Sequence, residues 1–291
     1  MTLSNIVYYE PRTLTEIFKL LKGLNSVRVM AGGTDLLVDL KQGLIDTRNI
    51  ISLHKIRELK GIEKKNNTIK IGALTSIQEI ISNSLINQHI PALADAAKSM
   101  ASHQVRSLAT IGGNICSAVP SADLPPPLIA AEATVDLKCL GSSREVPLSD
   151  FFRGPRETIC RKEELLTSIF IPLQPPNTGM SYKKFTPREA TALAVASVAA
   201  SLTLKNGVIA KAVIVLGAVA PTPVMALKAS KSLTTKEPSE DSFQETALTA
   251  KEESKPISDI RGSIWFRKEL IYVLTRRALD EALSRAQGKL E

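Results

Sequence analysis

The chain has 291 residues, 44% of them hydrophobic and 23% charged, with 37 Lys+Arg against 29 Asp+Glu and a formal net charge of +8. That length allows roughly two domains at ~100–200 residues each; the composition excludes a disordered or fibrous chain, and the basic balance favours an anionic ligand without selecting nucleic acid. The three cysteines, Cys116, Cys139 and Cys160, form no C-x-x-C pair, which argues against a disulfide framework and against a metal or iron–sulfur site within the chain.

From the N-terminus, "MTLSNIVYYEPRTLTEIF" shows no basic region leading into an apolar one, so no signal peptide is read. Thr13 and Glu16 form a capping-box pattern before "LTEIFKLLKG", a short helix with Gly23 as its stop. "SVRVMAGG" (26–33) and "RNIISL" (48–53) read as strands. "NNTIKIGALTS" (66–76) alternates as a strand, then meets a second capping box at Thr75 and Gln78 and continues as the helix "SIQEIISNSLI". Pro91 suits the first turn of another helix. Residues 133–151 read as a hairpin around Gly141–Ser143 and 163–173 as a further strand. The stretch between, "ATIGGNICSAVPSADLPPPLIAAEATV" (109–135), reads as too irregular for a strand or a helix.

"QPPNTG" (174–179) is the clearest linker signal. Beyond it, two strands flank Asn206–Gly207, a hairpin turn whose residues tolerate positive φ. A polar segment (233–256) carries a helix from Ser242. From Ser263 a long amphipathic helix places Ile264, Leu270, Ile271, Leu274, Ala278 and Leu283 near one face. The longest apolar run, near Leu193–Leu204, falls short of the ~18 residues of a membrane span, so a cytoplasmic protein is expected. Short strands and helices mix in the N-terminal part without a strict βαβ rhythm, and the whole suggests two α+β domains.

Two diglycine turns stand about eighty residues apart, "MAGGTDLL" (30–37) and "TIGGNICS" (110–117). Glycine lets a backbone approach a ligand closely, and successive N–H groups in such a turn make a concave anion site. Two such nests closing on a diphosphate would satisfy it with backbone alone, with Thr34, Thr110 and Asn114 adding side-chain donors and Asp123 accepting from a ribityl or ribose hydroxyl. A single diglycine is usually only a turn, so the pairing carries the functional reading. Neither turn matches the dinucleotide or P-loop fingerprint.

On "AGGTDLLVDLKQG" (31–43), "IGALTS" (71–76), "HQVRSLATIGGNICSAVPSADLPPPLIAAEATV" (103–135), "ELLTSIFIP" (164–172), "SYKKFTPREATALAVASVAASL" (181–202) and "DIRGSIWFRKELIYVLTRRAL" (259–279), the chain resembles the flavin-binding medium subunit of the molybdenum hydroxylases. The resemblance implies an α+β fold: a vanillyl-alcohol-oxidase-like (PCMH-type) FAD-binding domain over 1–175 and a small C-terminal α+β domain over 178–288, a short antiparallel sheet plus helices. It implies FAD contacts from Val29, Met30, Ala31, Gly32, Gly33, Thr34, Asp35 and Leu36, and from Thr110, Ile111, Gly112, Gly113 and Asn114. Asp123, Leu166 and Lys184 (or Lys183, one register away) match further contacts, and Met100 stands where some relatives carry an aromatic. It also implies an electron-transfer role in a hetero-oligomer, with the molybdenum cofactor in a large partner subunit, [2Fe–2S] clusters in a small one, and NAD as an acceptor. No catalytic side chain and no metal ligand is expected here.

Around these residues, His103 and Cys116 read more simply as structural than as redox groups. Arg106 either supports a phosphate or caps a turn. "DIRGS" starts the last helix, Trp265 and Phe266 are core or inter-subunit packing, and the basic face at Arg276–Arg277 is solvated. The rival readings are a basic nucleic-acid-binding protein, which the 4% aromatic content and the lack of a recognition motif weaken, an FAD-binding structural or assembly homologue without electron transfer, and a self-contained flavin oxidase of the same superfamily.

Overall fold

The computed structural model describes residues 6–188 and 192–289; residues 189–191, inside the stretch 181–202 that carries part of the resemblance, lie outside it. The chain opens with β1 (Val7–Tyr9), α1 (Leu14–Gly23), β2 (Val27–Met30), α2 (Leu36–Gln42) and β3 (Asn49–Ser52). These strands pair in parallel in the order β1-β3-β2. The expected lack of a βαβ rhythm is thus corrected over this segment: α1 and α2 are the crossovers that parallel pairing requires. Thr13 caps α1 by accepting from the Glu16 amide, while the Glu16 carboxylate returns to the amide of Arg12.

Next come β4 (Ile62–Lys65), β5 (Thr68–Gly72), α3 (Ile77–Ser82), α4 (Ser84–His89), α5 (Pro91–Lys98), α6 (His103–Leu108), α7 (Ile111–Ser117), α8 (Pro125–Ala130), β6 (Thr134–Cys139), β7 (Ser142–Pro147), β8 (Phe152–Gly154), β9 (Glu157–Thr158) and β10 (Leu165–Pro172). β10 lies at the centre of an antiparallel sheet ordered β4-β5-β10-β6-β7, and β8 pairs with β9. The capping box of α3 is Ser76 with Glu79, one residue later than expected; Thr75 is buried and its hydroxyl donates to the Gly61 carbonyl. The single expected helix divides at Asn83, whose side chain caps α4. The stretch 109–135 is not irregular throughout: Thr110 caps α7, and its prolines occupy the first turn of α8, where a missing N–H is harmless.

The C-terminal part is β11 (Thr178–Phe185), β12 (Ala196–Lys205), β13 (Val208–Gly217), β14 (Val224–Met225), α9 (Leu227–Leu233), α10 (Glu240–Glu253) and α11 (Ile264–Ala286), the strands forming one antiparallel sheet in that order. α10 starts before Ser242, with Ser239 as its cap. β12 and β13 read as near-continuous apolar runs because both faces of this sheet are covered. Val198, Ile214 and Leu216 pack on α9–α11, while Met180, Tyr182, Ala199 and Val215 join the core under the five-stranded sheet. That core therefore continues from one part of the chain into the other. On α11, Ile271, Leu274 and Ala278 are buried as expected, but Ile264 is exposed. Trp265 is exposed too, which corrects the core half of its reading and not the inter-subunit half, whereas Phe266 stacks edge-on against Phe185.

"DIRGS" is a structural start to α11. Asp259 and Gly262 exchange backbone hydrogen bonds, and the Asp259 carboxylate accepts from Arg261 and, at 2.7 Å, from Arg267. Arg267 is buried and also donates to the carbonyls of Val195 and Ala218, each at 2.9 Å. Arg267→Met strands these acceptors, and a loss of about 3 kcal/mol in urea unfolding is expected. The Arg261 hydrogen bond, with help from Arg267, holds the Asp259 carboxyl well below its usual range. A depressed folded pKa contributes stability above the unfolded value, about 3.9, and loses it as pH falls. The gap between wild type and Arg267→Met should therefore narrow in unfolding curves taken below about pH 4.

Candidate functional site

β2 ends at the carboxyl edge of the parallel sheet, and the chain passes through Ala31–Asp35 into α2. Connections at that edge are where ligands settle in sheets of this kind. Gly33 has a φ of +73°, and a Cβ on Gly32 would stand 1.9 Å from the Leu108 carbonyl oxygen. A side chain at the first position meets backbone strain and at the second a collision. The amides of Gly32, Gly33, Thr34 and Asp35 have no acceptor among the described residues. A left-handed glycine within such a run gathers successive N–H groups into an anion-binding concavity.

The second diglycine is built differently, as the first turn of α7. Thr110 Oγ1 accepts from the Gly113 amide at 3.1 Å. The amides of Ile111, Gly112 and Asn114 donate to the carbonyls of Thr75, Ala73 and Thr110 at 3.0, 2.9 and 3.0 Å. The four amides from Ile111 to Asn114 are thus already engaged by protein, which corrects the picture of two equivalent nests. A Cβ on Gly112 would lie 2.7 Å from the Ala73 carbonyl oxygen, so backbone packed on backbone, not a ligand, requires that glycine. The two turns nonetheless meet. A Cβ on Gly113 would lie 3.9 Å from that of Ala31, and Ser117 Oγ donates to Asp35 Oδ2 at 2.5 Å.

Between them opens a cavity of about 560 Å³, within the ~300–1,000 Å³ of small-molecule sites. Its wall contains Val29, Met30, Ala31, Gly32, Gly33, Thr34, Asp35 and Leu36, with Met100, Thr110, Gly112, Gly113, Asn114, Asp123 and Leu166. Two expected residues are elsewhere. Ile111 is fully buried in the core. Lys184 stands behind the wall, its Nζ donating to the Ser99 carbonyl at 2.7 Å and pairing with Asp123 Oδ2 at 3.1 Å. Lys183 turns the other way, to Glu281. His103 is exposed and off the wall. Arg106 caps a turn, donating to the carbonyls of Met100 and Ala101 at 2.6 and 3.1 Å. That turn holds Ala101 at a φ of +38°, strain of the kind that gathers at functional sites.

Sequence reasoning missed Arg28, Arg156, Cys160 and Glu164 on the wall. Glu164 opens the quoted stretch 164–172, but no local signal marks any of the four as lining a cavity, and only the tertiary fold gathers them. The carboxylates are each held by protein: Asp39 by Arg156, Glu164 by both arms of Arg144, and Asp123 by Lys184 and the Tyr182 hydroxyl. Arg144 hydrogen bonds hold Glu164 below its usual range, whereas burial raises Asp123 against the pull of Lys184 and Tyr182. Cys116 exposes its surface on the cavity wall, and the protein packed around it pushes its thiol up, with Cys160 adding to the shift. Burial pushes the Cys160 thiol up to about 11, so both thiols are protonated near neutral pH and alkylate slowly through their small thiolate fraction. The unpartnered amides, together with an Asn114 Oδ1 that is buried without a partner, fit a diphosphate-bearing ligand with hydroxyls along its chain.

Residues 3–174 match the family described as "FAD binding domain in molybdopterin dehydrogenase", and residues 180–282 match "CO dehydrogenase flavoprotein C-terminal domain". The chain is 34% identical to the glyceraldehyde dehydrogenase medium chain of Sulfolobus acidocaldarius, over 94% of this chain and 97% of that one. It is 30% identical to the xanthine dehydrogenase FAD-binding subunit of Escherichia coli O157:H7, over 98% of each. Its fold is similar to a chain of carbon monoxide dehydrogenase from Hydrogenophaga pseudoflava, with a TM-score of 0.94, 31% identity and 98% and 99% of the two chains covered.

The glycine contacts set an order of sensitivity. Gly32→Ala and Gly112→Ala force backbone apart and should each cost about 1–3 kcal/mol. Gly113→Ala, which meets only the Thr110 hydroxyl at 3.0 Å, should lower the thermal midpoint least of the three. Differential scanning calorimetry of the three variants checks that order.

Proposed function

The chain belongs to the family of FAD-binding subunits of molybdopterin dehydrogenases, and we propose that it serves as the electron-transfer subunit of a three-part cytoplasmic oxidoreductase. In this reading a large partner subunit carries the molybdenum cofactor and oxidises the substrate, a small partner carries [2Fe–2S] clusters, and the acceptor is NAD or another two-electron acceptor. FAD, when bound, supplies the ability to accept electrons singly and release them as a pair. Among the described residues no helix is long and apolar enough to cross a membrane. We assign the FAD-binding domain to 1–175 and the C-terminal domain to 178–288.

The observation that carries the reading is the run of unpartnered amides from Gly32 to Asp35 on the wall of the cavity. We assign those amides to the diphosphate, with Thr34 and Asn114 as side-chain partners. Thr110 and Gly113 close the facing wall; Gly112 packs that wall onto Ala73. Asp123 is assigned to a hydroxyl of the ribityl chain, and Met100 and Leu166 to the apolar surface around the ring. Ile111 supports the wall from the core, and Lys184 acts through Asp123 and Ser99. No side chain of the chain is assigned as an acid, a base or a nucleophile; its residues bind, orient and shield the cofactor.

Purified full-length protein should show flavin absorption, or recover it when FAD is added. The two thiols on the cavity wall give a local readout. With saturating FAD at pH 8, alkylation of Cys116 and Cys160 by iodoacetamide should slow, while Cys139, off the wall and hydrogen-bonded to Ser142, keeps its rate. Peptide mass spectrometry measures each site, and unchanged rates at Cys116 and Cys160 would place the cofactor elsewhere.

A further inference from the structure

We infer that Tyr182 is a positioning residue for the cofactor: from the C-terminal sheet it fixes the Asp123 carboxylate on the cavity wall, so that FAD affinity depends on how the two parts of the chain pack. The inference rests on the assignment of this cavity to FAD. Tyr182 is itself off the wall and buried, at 4% exposure. Its hydroxyl donates to Asp123 Oδ1 at 2.7 Å. Two residues along β11, Lys184 reaches the other oxygen, Oδ2, at 3.1 Å. Residues two apart on a strand share a face, so one edge of one strand grips both oxygens of the carboxylate.

Asp123 needs that grip. It lies between α7 and α8, outside any helix or strand, so no backbone ladder fixes it. It is also buried, and a buried carboxylate without donors is strongly disfavoured. Both donors come from β11, on the far side of the 174–177 connection. Lys184 also donates to the carbonyl of Ser99, the residue before Met100 and Ala101 on the wall. The strand therefore steadies two separate portions of the wall without contributing a side chain to it. A tyrosine present only to fill the core would make its hydroxyl bond with no consequence for a ligand, and the test separates the two roles.

The test titrates FAD into cofactor-free full-length protein by flavin fluorescence, with the thermal midpoint recorded alongside. Tyr182→Phe keeps the ring and removes one donor; it should weaken FAD binding about tenfold, while the midpoint of the cofactor-free protein moves by less than ~5 °C. The visible circular dichroism of FAD bound to Tyr182→Phe should resemble that of Asp123→Asn rather than wild type. Added to Asp123→Asn, Tyr182→Phe should change the dissociation constant by less than about twofold, because the two act as one unit. A Tyr182→Phe affinity within about twofold of wild type, or full additivity with Asp123→Asn, overturns the inference while the FAD assignment stands. Failure of wild type to bind FAD overturns both. If Tyr182→Phe lowers the midpoint further, Lys184→Met, which removes the other donor, is judged by the same criteria.

Discussion

The site depends on one contact between backbones. The Leu108 carbonyl sits where any side chain at position 32 would have to be, and this locks the turn after β2 against the α6–α7 connection. A parallel three-stranded sheet and an antiparallel five-stranded sheet have no shared hydrogen-bond ladder. Their relative placement follows from such close approaches, from the buried apolar cluster that packs Ile51 and Leu53 with Leu74 and Leu165, and from polar ties such as Ser117 with Asp35 and Arg156 with Asp39. A second backbone approach, Gly112 on Ala73, fixes α7 on the turn after β5. The cavity is the space left once those positions are set. Its glycines are thus first a condition of the fold and only through that a condition of binding.

Electrostatics divide the work in a way the net charge does not suggest. The chain carries +8, yet the wall holds four carboxylates, Asp35, Asp39, Asp123 and Glu164, and two arginines, Arg28 and Arg156. Each of those carboxylates already accepts from a protein donor. Their charge is spent on holding loops together. The donors left over include the backbone amides from Gly32 to Asp35, beside the Thr34 hydroxyl and the Arg28 guanidinium; the amides carry partial charge, lose no rotamer freedom on binding and cannot swing away. An anion held this way is bound by geometry more than by net charge. Among the described residues no lysine stands on the wall, and Lys184 pairs with Asp123 from behind it.

What was legible in the sequence was local. α1, α5, α11 and the Asn206–Gly207 hairpin carry their own caps, periodicity or turn residues, so their signals survive without tertiary context. β4 was invisible because "IEKK" has no apolar alternation; it is an edge strand that exists by pairing with β5. α7 was hidden by its two glycines, poor helix formers that are stabilised here by the Thr110 cap and by docking on Ala73 and Thr75. The diglycines revealed where the cavity is but not how they build it, since whether an amide faces a ligand or a neighbouring carbonyl is a tertiary fact. The burial of Ile111 in the core and the pairing of Lys184 with Asp123 behind the wall are tertiary facts of the same kind. Tyr182 had one usable signal, its i, i+2 relation to Lys184, which becomes visible only once 178–185 is read as a strand.

The C-terminal sheet extends this reasoning. Had it been a separate module, one face would meet water and β12 would alternate. Instead β12 is buried on both sides through most of its length, because one face completes the core of the preceding part and the other packs on α9–α11. A shared core of that kind cannot slide without exposing apolar surface, so β11 is held in register with the segment that bears Asp123. Arg285 reinforces the register, donating to Asp95 on α5 and to the Met180 carbonyl on β11. The rigidity that lets a distant strand steady the cavity wall is therefore a consequence of continuous burial, and the cavity belongs to both parts of the chain although one part supplies nearly all of its surface.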